Sequence, residues 1–454
     1  MKKNRLSIAL FLLAAGLLGI SCGCSKHEGP EGNDTDGQET PAEPETPSEP
    51  DPVPERELAW NCMTDPATWV YHSPAMNQAR FDLYKEIGVT VLRAEYRWDM
   101  AENAEGAWRT EDQFYNYLQL AKENGFRIKL ILGTLSDRPA WFATKHPETK
   151  LFNPDGIQAA GSLSYWYDGF EEAVTRVTRK MIETLKEKDL WDNVDYIIPS
   201  LGTAGEPIYP PQWTQPAISE ESFWCYGDNA KADFRAKMRE KYKADLVEAN
   251  KVWQTDFATW EDVTVLLPGE KKGLYWNDVL TWYRDSKREK VKWIIDFTVK
   301  ELEGTGKKVI VYIPGVQYTQ AEWNAALTSN TGGTGAIRIM DDTDYLLDFA
   351  AEKGAMVQYT GMSPGSENVK ELTRVCQYLK NRNFNVPVWG ENVGDEGTAS
   401  KISNLQNQVN SNKLYGFDYT HSAYLFQNDK KTPVTSRLDA LKALYSDLNR
   451  LHEE

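Results

Sequence analysis

The sequence is poor in the residues that hold metals and cross-links: among 454 residues only five are His and five are Cys. His27, His72, His146, His421 and His452 show no paired spacing, and Cys22, Cys24, Cys62, Cys225 and Cys376 form no C-x-x-C, so a zinc site has no support and no metal or cofactor is expected. Two of the cysteines lie at the end of a leader, and the odd three that remain make a disulfide framework an unsuitable organising principle. No G-x-S-x-G elbow is present, which removes a serine nucleophile of that type. Gly332-Gly333-Thr334-Gly335 is glycine-rich but follows no strand and precedes no Lys, so it reads as a loop and not as a phosphate cradle. Basic stripes are missing too, and a formal net charge of −16 repels phosphate backbones, which excludes nucleic acid as a partner. No fixed-period repeat appears, which disfavours solenoids and propellers.

What the chain has in surplus is aromatic: 12% Phe, Trp and Tyr, including 16 Trp and 22 Tyr. Part of this fills a core, and the remainder suits flat apolar ligand faces such as sugar rings. The first 21 residues carry Lys2, Lys3 and Arg5, then an apolar run from Leu6 to Ile20, which reads as a secretory signal, too short to be a spanning helix. Ser21-Cys22-Gly23-Cys24 resembles a bacterial lipobox, with Cys22 or Cys24 as the lipidated residue and cleavage without lipidation as the alternative. Residues 22–56 are Gly, Asp, Glu, Thr and Pro with almost nothing apolar, a composition expected to stay disordered as an acidic stalk. A chain so equipped is expected to be exported and lipid-anchored to the outer membrane at the cell surface.

From residue 57 to 454 apolar strands alternate with longer amphipathic stretches. The strand expectations are Leu58–Met63, Val89–Trp98, Arg127–Gly133, Val194–Gly202, Lys308–Gly315, Ala355–Met362, Val386–Asn392 and Leu414–His421. Helices are expected at Met76–Ile87, Thr110–Asn124, Gly169–Lys188 and Trp282–Glu303. This alternation predicts an α/β fold, a (β/α)8 TIM barrel, with a long insertion after strand 4, at about 207–300, holding a helical segment Ala230–Trp253.

Catalytic groups of such barrels stand at the C-terminal ends of strands. Glu206 follows strand 4 and Glu391 ends strand 7, each preceded by Gly (Gly205, Gly390). Two carboxylates facing one cleft are what glycoside hydrolysis requires, one protonated and the other ionised. Strand 2 offers Arg93, placed either to position Glu391 or to pair with Glu95; strand 8 carries Asp418 and His421. Trp98, Trp141, Trp166, Tyr209, Tyr318, Tyr359, Trp389 and Tyr424 lie near strand ends and are read as candidate walls of a sugar cleft.

At these residues the chain resembles the clan of (β/α)8 glycoside hydrolases that contains the family-42 β-galactosidases. The likeness runs through Ile87-Gly-Val-Thr-Val-Leu-Arg93, Tyr96-Arg-Trp98, Glu102 and Gly106, then Pro139-Ala-Trp141-Phe, His146-Pro-Glu148 and Asp155-Gly156. It continues with Asp233-Phe-Arg235 through Lys241-Tyr242, Leu246, Asn250 and Trp253. The resemblance implies a carbohydrate substrate, Glu206 as acid/base and Glu391 as nucleophile of a retaining β-galactoside-like hydrolase. One departure stands out: the clan carries Asn before its acid/base, and here that residue is Gly205. The run Gly202-Thr-Ala-Gly205-Glu206-Pro-Ile-Tyr209-Pro210 is instead similar to the acid segment of the family-14 β-amylases. An inverting α-glucan hydrolase is therefore the alternative, and a surface glycan-binding lipoprotein without turnover is a third reading.

Overall fold

The computed structural model describes residues 60–66, 72–109, 112–267, 273–315, 321, 323–324, 338, 341–363, 366–392 and 398–453. The expected leader, stalk and lipidated Cys22 or Cys24 lie outside the described residues, as does Tyr318. Eight parallel strands close into a barrel: β1 (Trp60–Thr64), β2 (Val91–Arg97), β3 (Arg127–Gly133), β4 (Val194–Pro199), β5 (Lys308–Ile313), β6 (Met356–Met362), β7 (Val388–Asn392) and β8 (Gly416–Thr420). They neighbour one another in chain order, and β8 pairs with β1 to leave no edge. The expected eight strands are all present, and β3 keeps its expected bounds. β4 stops at Pro199 instead of Gly202, because Ala204 (φ 57°) and Gly205 (φ 84°) take left-handed backbone in the turn that follows.

Among the described residues the helices of eight residues or more are α1 (Pro74–Glu86), α2 (Gln113–Glu123), α3 (Phe170–Glu187), α4 (Asp228–Lys241), α5 (Leu246–Trp253), α6 (Leu274–Glu301), α7 (Asp344–Glu352), α8 (Ser366–Asn381), α9 (Ala399–Asn412) and, after β8, α10 (Thr435–Arg450). The single helical segment expected over Ala230–Trp253 is two helices. Lys243 and Ala244 adopt positive φ, and the Asp245 side chain caps α5 by accepting from the amide of Glu248. Helix α6 begins at Leu274, well before the expected Trp282, so the end of the insertion is the barrel's own crossover helix, packed on β4 and β5. Asp278 on α6 binds the insertion by accepting from Lys241, Tyr242 and the Trp253 indole at 2.6–2.9 Å.

Side chains alternate across each strand, and two apolar layers result. The outer one joins sheet to helices. The inner one fills the barrel with Cys62, Val91, Ile131, Tyr196, Ile198, Ile310, Tyr312, Met356 and Trp389. At its N-terminal floor Trp60 stacks on Trp389 with centroids 4.9 Å apart, and Tyr196 meets the same ring edge-on at 5.2 Å. The same inward face carries polar residues at its upper levels, and these build the site.

Candidate active site

Glu391 ends β7 and is buried at the C-terminal mouth of the barrel. Arg93, inward on β2, donates through Nη1 to Glu391 Oε1 at 2.8 Å, and also reaches Tyr312 Oη at 3.1 Å and Asp418 Oδ2 at 3.5 Å. Thr420 Oγ1 donates to Oε1 at 3.0 Å, and Gln358 Nε2 donates to Oε2 at 2.5 Å. Both carboxylate oxygens are therefore occupied by donors that favour the ionised form. Burial still pushes Glu391 above the usual carboxylate range, with Arg93 opposing and Asp418 adding to the rise. Asp418 sits deeper: burial drives it up, but Lys129 at 2.8 Å, Arg93 and a hydrogen bond from Thr64 at 2.7 Å outweigh that and bring it down to about 2.

Glu206 arrives by a different route. The turn after β4 brings it back over the barrel end, where Thr360 Oγ1 on β6 makes a short hydrogen bond to Oε1. The turn needs its glycines. A Cβ on Gly202 would meet the carbonyls of Ile208 and Glu206 at 2.4 and 2.5 Å, while Gly205 at φ 84° faces Tyr312 and Ile198 at 3.4–3.5 Å. Burial, with Glu391 as a further contributor, pushes Glu206 up to about 7, against the Thr360 hydrogen bond and Arg93. One carboxyl thus has its titration lifted toward neutrality beside another that is tied to a guanidinium.

A third carboxyl lies close by. Glu95, two residues beyond Arg93 on β2, has neither a hydrogen bond nor an ion pair among the described residues. It opens on a cavity of about 110 Å³ lined by Arg93, Arg97, Thr64, Asp65 and His421. Burial and the neighbouring Asp137 raise it to about 7. Arg93, spent on Glu391, Tyr312 and Asp418, is not its partner.

The structure brings Glu206, Glu391 and Arg93 together, but most of the expected aromatic walls are core. Trp98 is fully buried and donates to Glu102 Oε2 at 2.8 Å, and half-buried Trp141 donates to the Glu102 carbonyl at 2.9 Å, so both clamp the hairpin after β2. Trp166 and Tyr209 are buried in a stack with Trp282 and Tyr283, the Tyr209–Tyr283 centroids being 4.1 Å apart. Tyr359 faces away from the barrel axis and donates to the Gly315 carbonyl at 3.0 Å. Trp389 is the floor of the barrel. Aromatic side chains near strand ends bury roughly 150–250 Å² each in packing, and that outcompetes ligand display here. Tyr424 is half-buried, its ring 6.0 Å from that of His421.

Residues not singled out from sequence are Lys129, Tyr312, Gln358, Thr360 and Thr420. Lys129 in Ile128-Lys129-Leu130 and Gln358 in Val357-Gln358-Tyr359 are polar positions inside apolar strands, a signal available to period-2 reading. A cavity of about 500 Å³, bounded by Trp166, Asp233 and Trp282 among others, contains none of the three central residues.

Comparison with known proteins places these observations. Residues 66–190 match the glycoside hydrolase 42 family, described as beta-galactosidase. No curated protein matches the chain. Among solved structures, the catalytic domain of beta-amylase from Paenibacillus polymyxa superposes with a TM-score of 0.69 at 18% identity, over 86% of this chain and 99% of that one. Beta-galactosidase from Marinomonas ef1 gives 0.59 at 12% identity, over 87% of this chain and 60% of that one. The beta-galactosidase from Rahnella sp. R3 gives 0.60 at 15%, over 88% and 58%. The chain thus spans under two thirds of these two galactosidases and nearly all of the amylase domain. Both resemblances read from the sequence find counterparts here.

Proposed function

We propose that this chain hydrolyses O-glycosidic bonds, with Glu206 as general acid and Glu391 as its ionised partner. The observation that carries the reading is the pair of carboxyls from β4 and β7 at one barrel mouth, one raised to about 7 and the other bound by Arg93. A protonated Glu206 delivers its proton to the leaving oxygen as the bond breaks. Glu391, with its charge fixed by Arg93, Gln358 and Thr420, either attacks the anomeric carbon or takes a proton from attacking water. Positive charge developing on the sugar ring is stabilised by that carboxylate in a water-poor site.

The family match over residues 66–190 supports a retaining course on β-galactoside-like bonds. A specific observation favours the inverting course on α-glucans: Gly205 has no side chain to bind a sugar hydroxyl, and it sits in a left-handed turn shaped for Gly. Coverage of the amylase domain supports the same reading. The two differ in carboxyl separation, about 5–5.5 Å for retention against about 6.5–9.5 Å for inversion. The anomer released first, followed by proton NMR on p-nitrophenyl β-galactoside and on maltooligosaccharides, decides between them.

The test of the shared claim is Glu206→Gln and Glu391→Gln, each expected to lower kcat by about 10²–10⁴-fold with an unchanged circular dichroism spectrum. Full activity in both variants would sink it, and sugar binding without any release would favour the glycan-binding reading. Export and anchoring through Cys22 or Cys24 belong to the same proposal, since a surface enzyme meets polymeric glycans directly. Palmitate labelling lost in Cys22→Ser or in Cys24→Ser identifies the anchor, and labelling of neither wild type nor variant would refute it.

A further inference from the structure

Lys129 stands in the middle of β3 with no accessible surface, a position a lysine occupies only when its charge is fully matched. An ammonium has three donors and no acceptor. Here Nζ meets Asp418 Oδ2 at 2.8 Å and Gln358 Oε1 at 2.7 Å, and it lies 4.4 Å from the centre of the Trp389 ring. The buried indole is thus the seat of a cation and not a sugar platform.

Two arms lead from this ammonium to Glu391. Along one, Asp418 Oδ2 lies 3.5 Å from Arg93 Nη1, which donates to Glu391 Oε1 at 2.8 Å. Along the other, Gln358 accepts from Lys129 with its oxygen and donates to Glu391 Oε2 with its nitrogen. A primary amide has one end of each kind, so a neighbour that can only donate fixes which end faces Glu391. With Lys129 removed, the Gln358 amide can turn and accept with its oxygen from a protonated Glu391, which favours the neutral acid. The charges also close: Arg93 and Lys129 balance Asp418 and Glu391 in a space that admits little water.

We propose that Lys129, with Asp418 and Gln358, is a positioning device that holds Glu391 ionised and oriented, reaching each of its two carboxylate oxygens by a separate arm. This rests on the hydrolytic reading of Glu391 and deepens it. It assigns catalytic importance to a residue that touches no substrate and lies one level below the reacting groups.

The test follows the Glu391 carboxyl itself, so that it does not depend on turnover. Protein labelled with carbon-13 at Glu side-chain carboxyls is titrated by NMR, with Glu391→Gln used to assign the signal. Lys129→Met removes the cation and is expected to move the Glu391 titration up by about one unit, while Asp418→Asn removes the anion and moves it down. The double variant returns it toward the wild-type position. In kinetics, Lys129→Met lowers kcat by about tenfold or more with KM nearly unchanged, and the double variant recovers part of the loss. Should Lys129→Met fail to fold because Asp418 loses its nearer cation, the downward shift in Asp418→Asn carries the test. A Glu391 titration that stays at its wild-type position in the folded variants overturns the proposal. If the wild type releases no sugar from any glycoside, the hydrolytic reading fails while the titrations still decide this one.

Discussion

Arg93 and Glu391, separated by 298 positions in the chain, share a 2.8 Å hydrogen bond inside the barrel mouth, and the guanidinium makes neither a hydrogen bond nor an ion pair with Glu95 two residues along its own strand. The nearer carboxylate in sequence is passed over because the closed barrel brings β7 and β8 toward β2 across its axis. Removing Arg93 leaves Glu391 buried without its cation. Arg93→Met is expected to raise the Glu391 titration and move the acidic limb of kcat/KM upward, with kcat reduced by about 10²-fold or more. An unmoved acidic limb would remove Arg93 from the mechanism.

The pH profile follows from Glu206. Its carboxyl must be protonated to act, and burial sets its titration at about 7, so kcat/KM is expected to fall as pH rises through that value. Stability carries the same sign. A carboxyl whose folded pKa lies above its unfolded value near 4.3 stabilises fully below the unfolded value, and that contribution is lost as pH rises through about 7. In Glu206→Gln the decline in Tm between those values should be smaller than in wild type, as scanning calorimetry at several pH values measures.

Gly205 separates backbone strain from substrate recognition. Any L side chain there must hold φ at 84°, so Gly205→Ala is expected to lose about 1–2 kcal/mol of stability, measured by urea denaturation. Asn tolerates left-handed backbone better and should lose less. If Gly205→Asn gained β-galactosidase activity over its parent, the inverting reading would be disfavoured.

Glu95 presents its carboxyl to a cavity that Arg93 and His421 also line. Among the described residues it makes no hydrogen bond or ion pair, so Glu95→Gln is expected to leave Tm unchanged. Glu95→Ala should raise KM by about 10-fold or more through loss of a sugar-hydroxyl contact, with the amide variant in between. Equal KM in all three proteins would place Glu95 outside the sugar's reach.

The linear order of residues settled a good deal. Eight apolar runs spaced by amphipathic stretches specify a barrel, since a parallel sheet buried on both faces needs helical crossovers. A carboxylate just after the fourth run and another in the seventh follow from the same count, because strand ends of a closed barrel open on one mouth. Tertiary structure alone decided what those carboxylates touch. Which aromatics face a ligand also depended on packing: Trp98, Tyr209, Tyr359 and Trp389 lie at strand ends by sequence yet are drawn into the core by the area they bury. Lys129, Gln358 and Asp418 acquire meaning only when the closed sheet turns three strands that are not neighbours toward one axis beneath Glu391. Charge pairing acts over a few ångströms in a low-dielectric interior, and distances of that kind are a property of the folded barrel and not of the order of its residues.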